Sequence, residues 1–203
     1  MATTLGHALC GVVILLVANR LRPSPTTALD WPNVVLFALL ANLPDLDMLV
    51  SYLLAGDVLA YHGRVSHGLL LALLAAWLTA RLVTPRVEGV QKLGYAVLLY
   101  SLVVVSHDLI DSLTGPSLGW HATRGMPLFW PLSDFRLSMP LTLFPGPQHN
   151  TWVRLVSLHN LKVMAYEALV FLPPLVWLCL TYSRPHGESR SGLLCLFPRR
   201  TEK

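Results

Sequence analysis

The sequence predicts an all-α, polytopic membrane protein of about four to five transmembrane helices, with an irregular cap segment rich in aromatic residues and proline. Three observations lead there. Of 203 residues, 54% are hydrophobic and only 13% charged, against about 25% charged in soluble domains, and the mean hydropathy is +0.55. Five apolar stretches follow one another along the chain. A proline-interrupted, aromatic segment separates the fourth from the fifth.

The first apolar stretch runs from about Leu5 to Leu21. No Lys or Arg precedes it and no A-x-A-like site follows, so it reads as a retained helix and not a cleaved leader. The second, Asn33 to Leu54, is interrupted by Pro44, Asp45 and Asp47. The third covers His67 to Val83 and the fourth Leu93 to Leu113. The fifth, Leu161 to Tyr182, completes the set. A span needs about 20 apolar residues, with about 17 as the lower end, so the first and third are short.

Between the fourth and fifth stretches, residues 114–158 hold Pro116, Pro127, Pro131, Pro140, Pro145 and Pro147, which exclude long helices. Trp120, Phe129, Trp130, Phe135 and Phe144 make the segment too aromatic for a solvated linker. It reads as an ordered cap against the membrane face, with its aromatics at headgroup level. Residues 1–182 thus form one membrane-embedded domain, and 183–203 a basic tail. Cys10, Cys179 and Cys195 form no C-x-x-C pair and read as free thiols. The net charge of +4 is small, and no nucleic-acid partner is expected.

Threading the five stretches through a bilayer places ten of the fifteen Lys and Arg residues on one side: Arg20, Arg22, Arg81, Arg86, Lys92, Arg184, Arg190, Arg199, Arg200 and Lys203. The positive-inside rule makes that side, and the tail, cytoplasmic. The start of the first helix and the cap then face outward. The polar residues collect on that outward side. His7 opens the first helix, Asp45 and Asp47 lie in the outer half of the second stretch, and His62 and His67 flank the start of the third. His107, Asp108 and Asp111 lie near the outer end of the fourth, and Glu167 one or two turns into the fifth. Ionisable residues within spans are costly and usually face a cavity or one another.

The spacings suit a metal. His107 and Asp111 are four apart and share one helix face. If Pro44 leaves its surroundings extended, Asp45 and Asp47 point to one side. Ser66 is placed to cap the third helix and fix the approach of His67. Mixed imidazole and carboxylate ligands suit Zn²⁺, and also Mn²⁺ or Fe²⁺. Structural alternatives stand beside each residue. A lone His such as His7 is often a packing residue. Asp45 can form a turn after Pro44, Asp47 can pair with Arg64, and Asp108 points away from the His107–Asp111 face. His121, His149 and His159, in or beside the cap, read as surface residues.

Read together, Gly6-His7, Leu43-Pro44-Asp45-Leu46-Asp47, His62-Gly63-Arg64-Val65-Ser66-His67, Ser106-His107-Asp108-Leu109-Ile110-Asp111 and Pro127-Leu128-Phe129-Trp130-Pro131-Leu132-Ser133 carry a resemblance. The chain resembles the YdjM-like family of bacterial inner-membrane proteins, described as membrane-bound metal-dependent hydrolases and in part as LexA-regulated. The family patterns are an LPDxD turn, an HRGxTHS motif, an SHxxLDxxT helix end and a WPFS segment, matched over roughly residues 5–135. Here Arg and Gly of the second motif are exchanged and its final Ser is Gly68. The family is in turn distantly similar to zinc-dependent phospholipase C. That similarity implies the order His7, Asp45, His62 or His67, and His107 with Asp111 around zinc. A second HxxxD element has no counterpart, because Val163 stands four residues after His159.

The resulting expectation is a membrane-bound hydrolase at the bacterial inner membrane, acting on a phosphoester of a lipid-like or amphiphilic substrate. One or two divalent ions, Zn²⁺ foremost, would be held by His7, Asp45, His62, His67, His107 and Asp111. Asp47 or Glu167 would act as general base, and Arg64 or Arg124 would clamp a phosphate. The alternatives are an ion- or proton-coupled transporter, and a scaffold braced by a structural metal. The absence of a polar trail to the cytoplasmic side speaks against the transporter.

Overall fold

The computed structural model describes residues 1–83, 90–123, 125–148, 154 and 156–181. Six helices dominate the described residues: α1 (Thr4–Leu21), α2 (Trp31–Ala41), α3 (Leu46–Ala55), α4 (Leu69–Val83), α5 (Val90–Ser112) and α6 (Leu158–Leu180). Their boundaries follow from local chemistry. The Thr3 side chain accepts from Gly6 N–H to cap α1, Asp30 accepts from Asn33 N–H to cap α2, and Ser157 accepts from Asn160 N–H to cap α6. Pro32 occupies the first turn of α2, where its missing N–H costs nothing. Gly56, at φ 70°, ends α3 in the left-handed conformation that glycine adopts without strain.

Helices α1, α5 and α6 are long and apolar enough to cross a membrane. The expected second span is broken: α2 and α3 meet at 57° across a 3₁₀ turn at Leu43–Asp45. Helix α4, with 15 residues, is apolar but short. At 1.5 Å per residue it rises about 22 Å, less than the roughly 30 Å of a hydrocarbon core. The four to five expected spans therefore resolve into three full-length helices, one bent pair and one short helix.

Helix α1 packs on α2 and α6, while α5 packs on α4, α2 and α1. The core between them holds Leu15, Phe37, Leu40, Tyr100, Val103 and Val104. Ala72, Ala76 and Ala80 recur every fourth residue along α4 and, with Ala96, are fully buried, so α4 and α5 approach closely, as small residues permit in membrane bundles. A side chain on Gly11 would fall 2.5 Å from the Phe37 carbonyl oxygen and 2.9 Å from the Ala41 Cβ. This glycine sets how closely α1 and α2 approach. At the opposite end from the polar residues, the Arg20 guanidinium donates to Thr181 Oγ1 at 2.6 Å and lies over Trp177, while Arg22 lies over Tyr95. Those contacts tie the ends of α1, α5 and α6 together.

The described residues of the cap fold back on themselves. Its ends pair as a two-stranded parallel ladder, β1 (Thr114–Gly115) with β2 (Phe144–Pro145). Bridges at Gly119–Thr142 and Met126–Leu137 close the intervening chain on itself. Phe144 stacks on Phe171 of α6 at 5.8 Å, and Leu69 N–H at the head of α4 donates to the Leu128 carbonyl at 2.9 Å. The cap thus sits at the head of α4 and against the side of α6.

The Gly11 contact generates a paired test. Gly11→Ala should destabilise the detergent-solubilised protein by about 1–3 kcal/mol, because backbone and not a flexible side chain blocks the new methyl. Gly94→Ala, where nothing lies within 4 Å, should stabilise by about 0.5–1 kcal/mol through helix propensity alone. Thermal unfolding of both variants, followed by circular dichroism, reads the difference. Equal melting temperatures would remove Gly11 from its role at the α1–α2 contact.

Candidate metal centre

Four elements bring imidazoles and carboxylates to one place. His7 lies in the first turn of α1, and Asp45 in the turn between α2 and α3. His67 ends a 3₁₀ turn (Val65–His67) just before α4. His107 and Asp111 lie one turn apart in the last part of α5. The His7, His67, His107 and Asp111 side chains have no exposure, and Asp45 retains 15%. Nε2 of His107 lies 3.4 Å from Asp45 Oδ1 and 3.5 Å from Asp111 Oδ2. Nε2 of His67 is 3.8 Å from Asp111 Oδ2, and Nε2 of His7 is 3.2 Å from Asp111 Oδ1. The His7 and His107 rings stack at 3.7 Å. One ligand atom from each of Asp45, His67, His107 and Asp111 lies within 4.8 Å of all the others.

A second group shares His67. Asp47 Oδ1 is 2.6 Å from His62 Nδ1, and its Oδ2 accepts from the Ser66 hydroxyl and from Gly63 N–H. His67 Nδ1 is 2.9 Å from Ser66 Oγ and 3.7 Å from Asp47 Oδ2. Asp47, His62 and His67 also satisfy the geometry of an ion site. His67 therefore turns Nδ1 to one carboxylate pole and Nε2 to the other.

The buried atoms test whether a cation fits. Among the described residues, Nε2 of His7, His62, His67 and His107, Oδ1 of Asp45 and Oδ2 of Asp111 are buried without a hydrogen-bond partner. An unsatisfied buried polar atom costs about 1–3 kcal/mol. Six of them would amount to about 6–18 kcal/mol, as much as a typical domain's whole stability of about 5–15 kcal/mol. Charged N–H···O bonds close to about 2.7–2.9 Å, whereas His107 stands 3.4–3.5 Å from both carboxylates. Ligand atoms at about 2.0–2.2 Å from a shared tetrahedral ion would be separated by about 3.3–3.6 Å. The donor set therefore suits a divalent cation better than a set of direct ion pairs.

The surroundings orient the ligands. His107 Nδ1 faces the Ala41 carbonyl at 2.9 Å, which fixes the proton on Nδ1 and leaves the Nε2 lone pair free for the centre. Asp111 Oδ1 accepts from Ala2 N–H at 2.7 Å. These partners come from backbone and could not be read from residue types. Two local expectations are corrected. The chain around Pro44 is a 3₁₀ turn running into helix α3 and not extended, so Asp45 and Asp47 diverge, one to each group. The Ser66 hydroxyl does not cap α4; it goes to Asp47 and His67.

The remaining candidates lie apart. The Glu167 carboxylate is fully buried, but it accepts from Thr3 N–H at 2.8 Å and from the Thr3 hydroxyl, against Gly6. It holds the start of α1 and lies outside both groups. Asp47 pairs with His62 and Ser66 and not with Arg64, which is exposed. Arg124, like His149, lies outside the described residues. Arg136, on the cap, donates to the Gly63 carbonyl at 3.2 Å and so stands beside His62. Asp108 is buried, and neither of its oxygens has a hydrogen-bond partner among the described residues. His121 engages Ser117 and Thr142, and His159 the Gly146 carbonyl.

The geometry sets an expectation for metal content. Purified protein should retain divalent metal after dialysis, and His107→Ala together with Asp111→Ala should abolish it, read by elemental analysis. Ser66→Ala should weaken affinity by about 10–100-fold without abolishing binding, as loss of an orienting partner does. Acidification should release the metal, because ligand imidazoles must be deprotonated. Undiminished metal content in the double variant would place any bound ion elsewhere.

Comparison with known proteins adds one finding. No curated protein and no solved structure matches the chain. Residues 1–186 match the family described as YdjM inner membrane protein. With nearly the whole chain covered and three to four helices apolar and long enough to cross a bilayer, the protein belongs to the YdjM inner membrane protein family.

Proposed function

We propose that the protein is a membrane-bound, metal-dependent hydrolase of a phosphoester on a lipid-like or amphiphilic substrate. The single observation that carries this reading is the buried His/Asp cluster, open to the exterior through Asp45 and Asp47. Asp45, His67, His107 and Asp111, with His7 stacked on His107, would hold the first ion. His62 and Asp47 would hold a second beside His67. Zn²⁺ suits the ligand set, which has imidazole and carboxylate but no thiolate. A bound divalent ion supplies Lewis acidity and lowers the pKa of a coordinated water.

The protein's own groups divide the remaining work. Asp47, 12% exposed, is the carboxylate best placed to take a proton from the attacking water when it is not itself a ligand. Glu167, held by Thr3, serves better as the anchor of α1. Water oxygen bonds to phosphorus, the ester P–O bond breaks, and the leaving oxygen takes up a proton. Arg136 beside His62, with Arg64 and Arg124, supplies cationic charge for the phosphate. The cluster faces the periplasm on the positive-inside reading of the loops. The complete burial of four of the five ligands also favours a second reading, a structural metal that braces the helix ends.

Activity and metal content separate the two. Arg124→Ala and Arg136→Ala should each lower turnover of phosphoester substrates about 10-fold or more while leaving metal content intact. His107→Ala should lose the metal and activity together. A wild type that holds metal yet cleaves no phosphoester among those tried favours the brace. For orientation, single cysteines at Ser117 and Glu88 should be labelled from outside and inside respectively. Labelling of position 88 alone from intact cells would invert the orientation.

A further inference from the structure

Helix α3 presents two faces of opposite character. Asp47 and Ser51, four residues apart, point inward: Asp47 to His62 and Ser66, and Ser51 to the Tyr61 N–H, whose bond it accepts at 3.1 Å. Leu46, Leu49, Val50, Leu53 and Leu54 occupy the other face and are 48–73% exposed. That spacing of three and four residues is a continuous apolar stripe on an amphipathic helix. At ten residues α3 is about 15 Å long, half of a hydrocarbon core. It also leaves the axis of α2 by 57°, so it does not extend α2 along one line.

The stripe borders the opening of the buried cluster. The cluster side chains with the largest exposure, Asp45 at 15% and Asp47 at 12%, are separated in sequence by Leu46, which is 56% exposed. Tyr61, next to His62, is 45% exposed. Whatever reaches the carboxylates therefore passes an apolar lip. A helix with an apolar stripe on one side and its polar groups on the other fits the boundary between headgroups and acyl chains.

We propose that α3 is an interfacial helix, seated with its Leu46–Leu54 stripe in the leaflet on the side of the cluster, so that the cluster opens into the headgroup layer. The partner of this surface is the bilayer itself. The bilayer as the source of the substrate rests on the hydrolase reading above; the seating of α3 does not. The seating and the reaction can therefore fail separately.

The test is a depth measurement on the full chain in phospholipid vesicles. Spin labels are placed singly at Leu49, Val50, Leu53 and Leu54 in a variant with its cysteines replaced by serine. References sit at Leu98 and Leu102, exposed positions on the spanning helix α5. Accessibility to oxygen and to a water-soluble nickel chelate gives each label its depth. The four α3 labels should share one shallow depth, below the phosphates and well above the reference labels. A helix running along the bilayer normal would instead spread positions 49 and 54 over about 7.5 Å, and that result overturns the proposal. High nickel accessibility at all four, meaning water, overturns it. So does low accessibility to both reagents, meaning contact with protein such as a second copy. Each labelled variant is first checked for its monodisperse elution in detergent, so that misfolding is not read as depth.

Discussion

Four imidazole nitrogens and two carboxylate oxygens lie buried in two adjoining groups, and none of the six has a hydrogen-bond partner among the described residues. A low-dielectric interior makes such a concentration of polar atoms unfavourable unless positive charge compensates it. The arrangement of the bundle follows from that requirement. Helices α1 and α5 and the turn between α2 and α3 each end or bend where they deliver a ligand. The chain before α4 folds into a short 3₁₀ turn for the same purpose.

The supports around the cluster come from distant parts of the chain. The Ala41 carbonyl orients His107 across 66 residues, and Ala2 N–H reaches Asp111 across 109. Glu167 takes the Thr3 backbone and hydroxyl across 164 residues, tying α6 to the start of α1. Ser66 links the two carboxylate poles through His67. At the other end, Arg20 and Arg22 bind α1 to α6 and α5 through aromatic faces. The helices are thus held at both ends, by polar ties around the cluster and by cation–π contacts opposite. Between them lies a thin apolar core in which Gly11 and the alanines of α4 allow close approach.

Much of this was legible in the residues. The apolar runs locate four of the six helices within a few positions and cover α2 and α3 with a single run, because a span must satisfy every backbone polar group within a helix. The one-sided distribution of His and Asp identifies the cluster, because intramembrane charge is too costly to scatter. The four-residue spacing of His107 and Asp111 needs only helix geometry. What stayed hidden depends on tertiary contact. Pro44 announces a break in the second stretch, but whether the break is extended or 3₁₀ is decided by where Asp45 and Asp47 find partners. Ser66 reads as a cap from local sequence, yet Asp47 on a neighbouring element offers its hydroxyl a stronger, charged acceptor. Glu167 looks like a free carboxylate until Thr3 folds onto it, and Arg136 of the cap reaches the Gly63 carbonyl beside His62 from 74 positions along the chain.

The claim that the cluster is a metal centre is tested most directly by X-ray absorption at the edge of the metal that copurifies with the wild type. The account predicts a first shell of nitrogen and oxygen at about 2.0–2.2 Å, no sulfur, and outer-shell scattering from at least two imidazole rings. A sulfur-containing shell, a shell of oxygen alone, or a purified protein with no stoichiometric metal would contradict it.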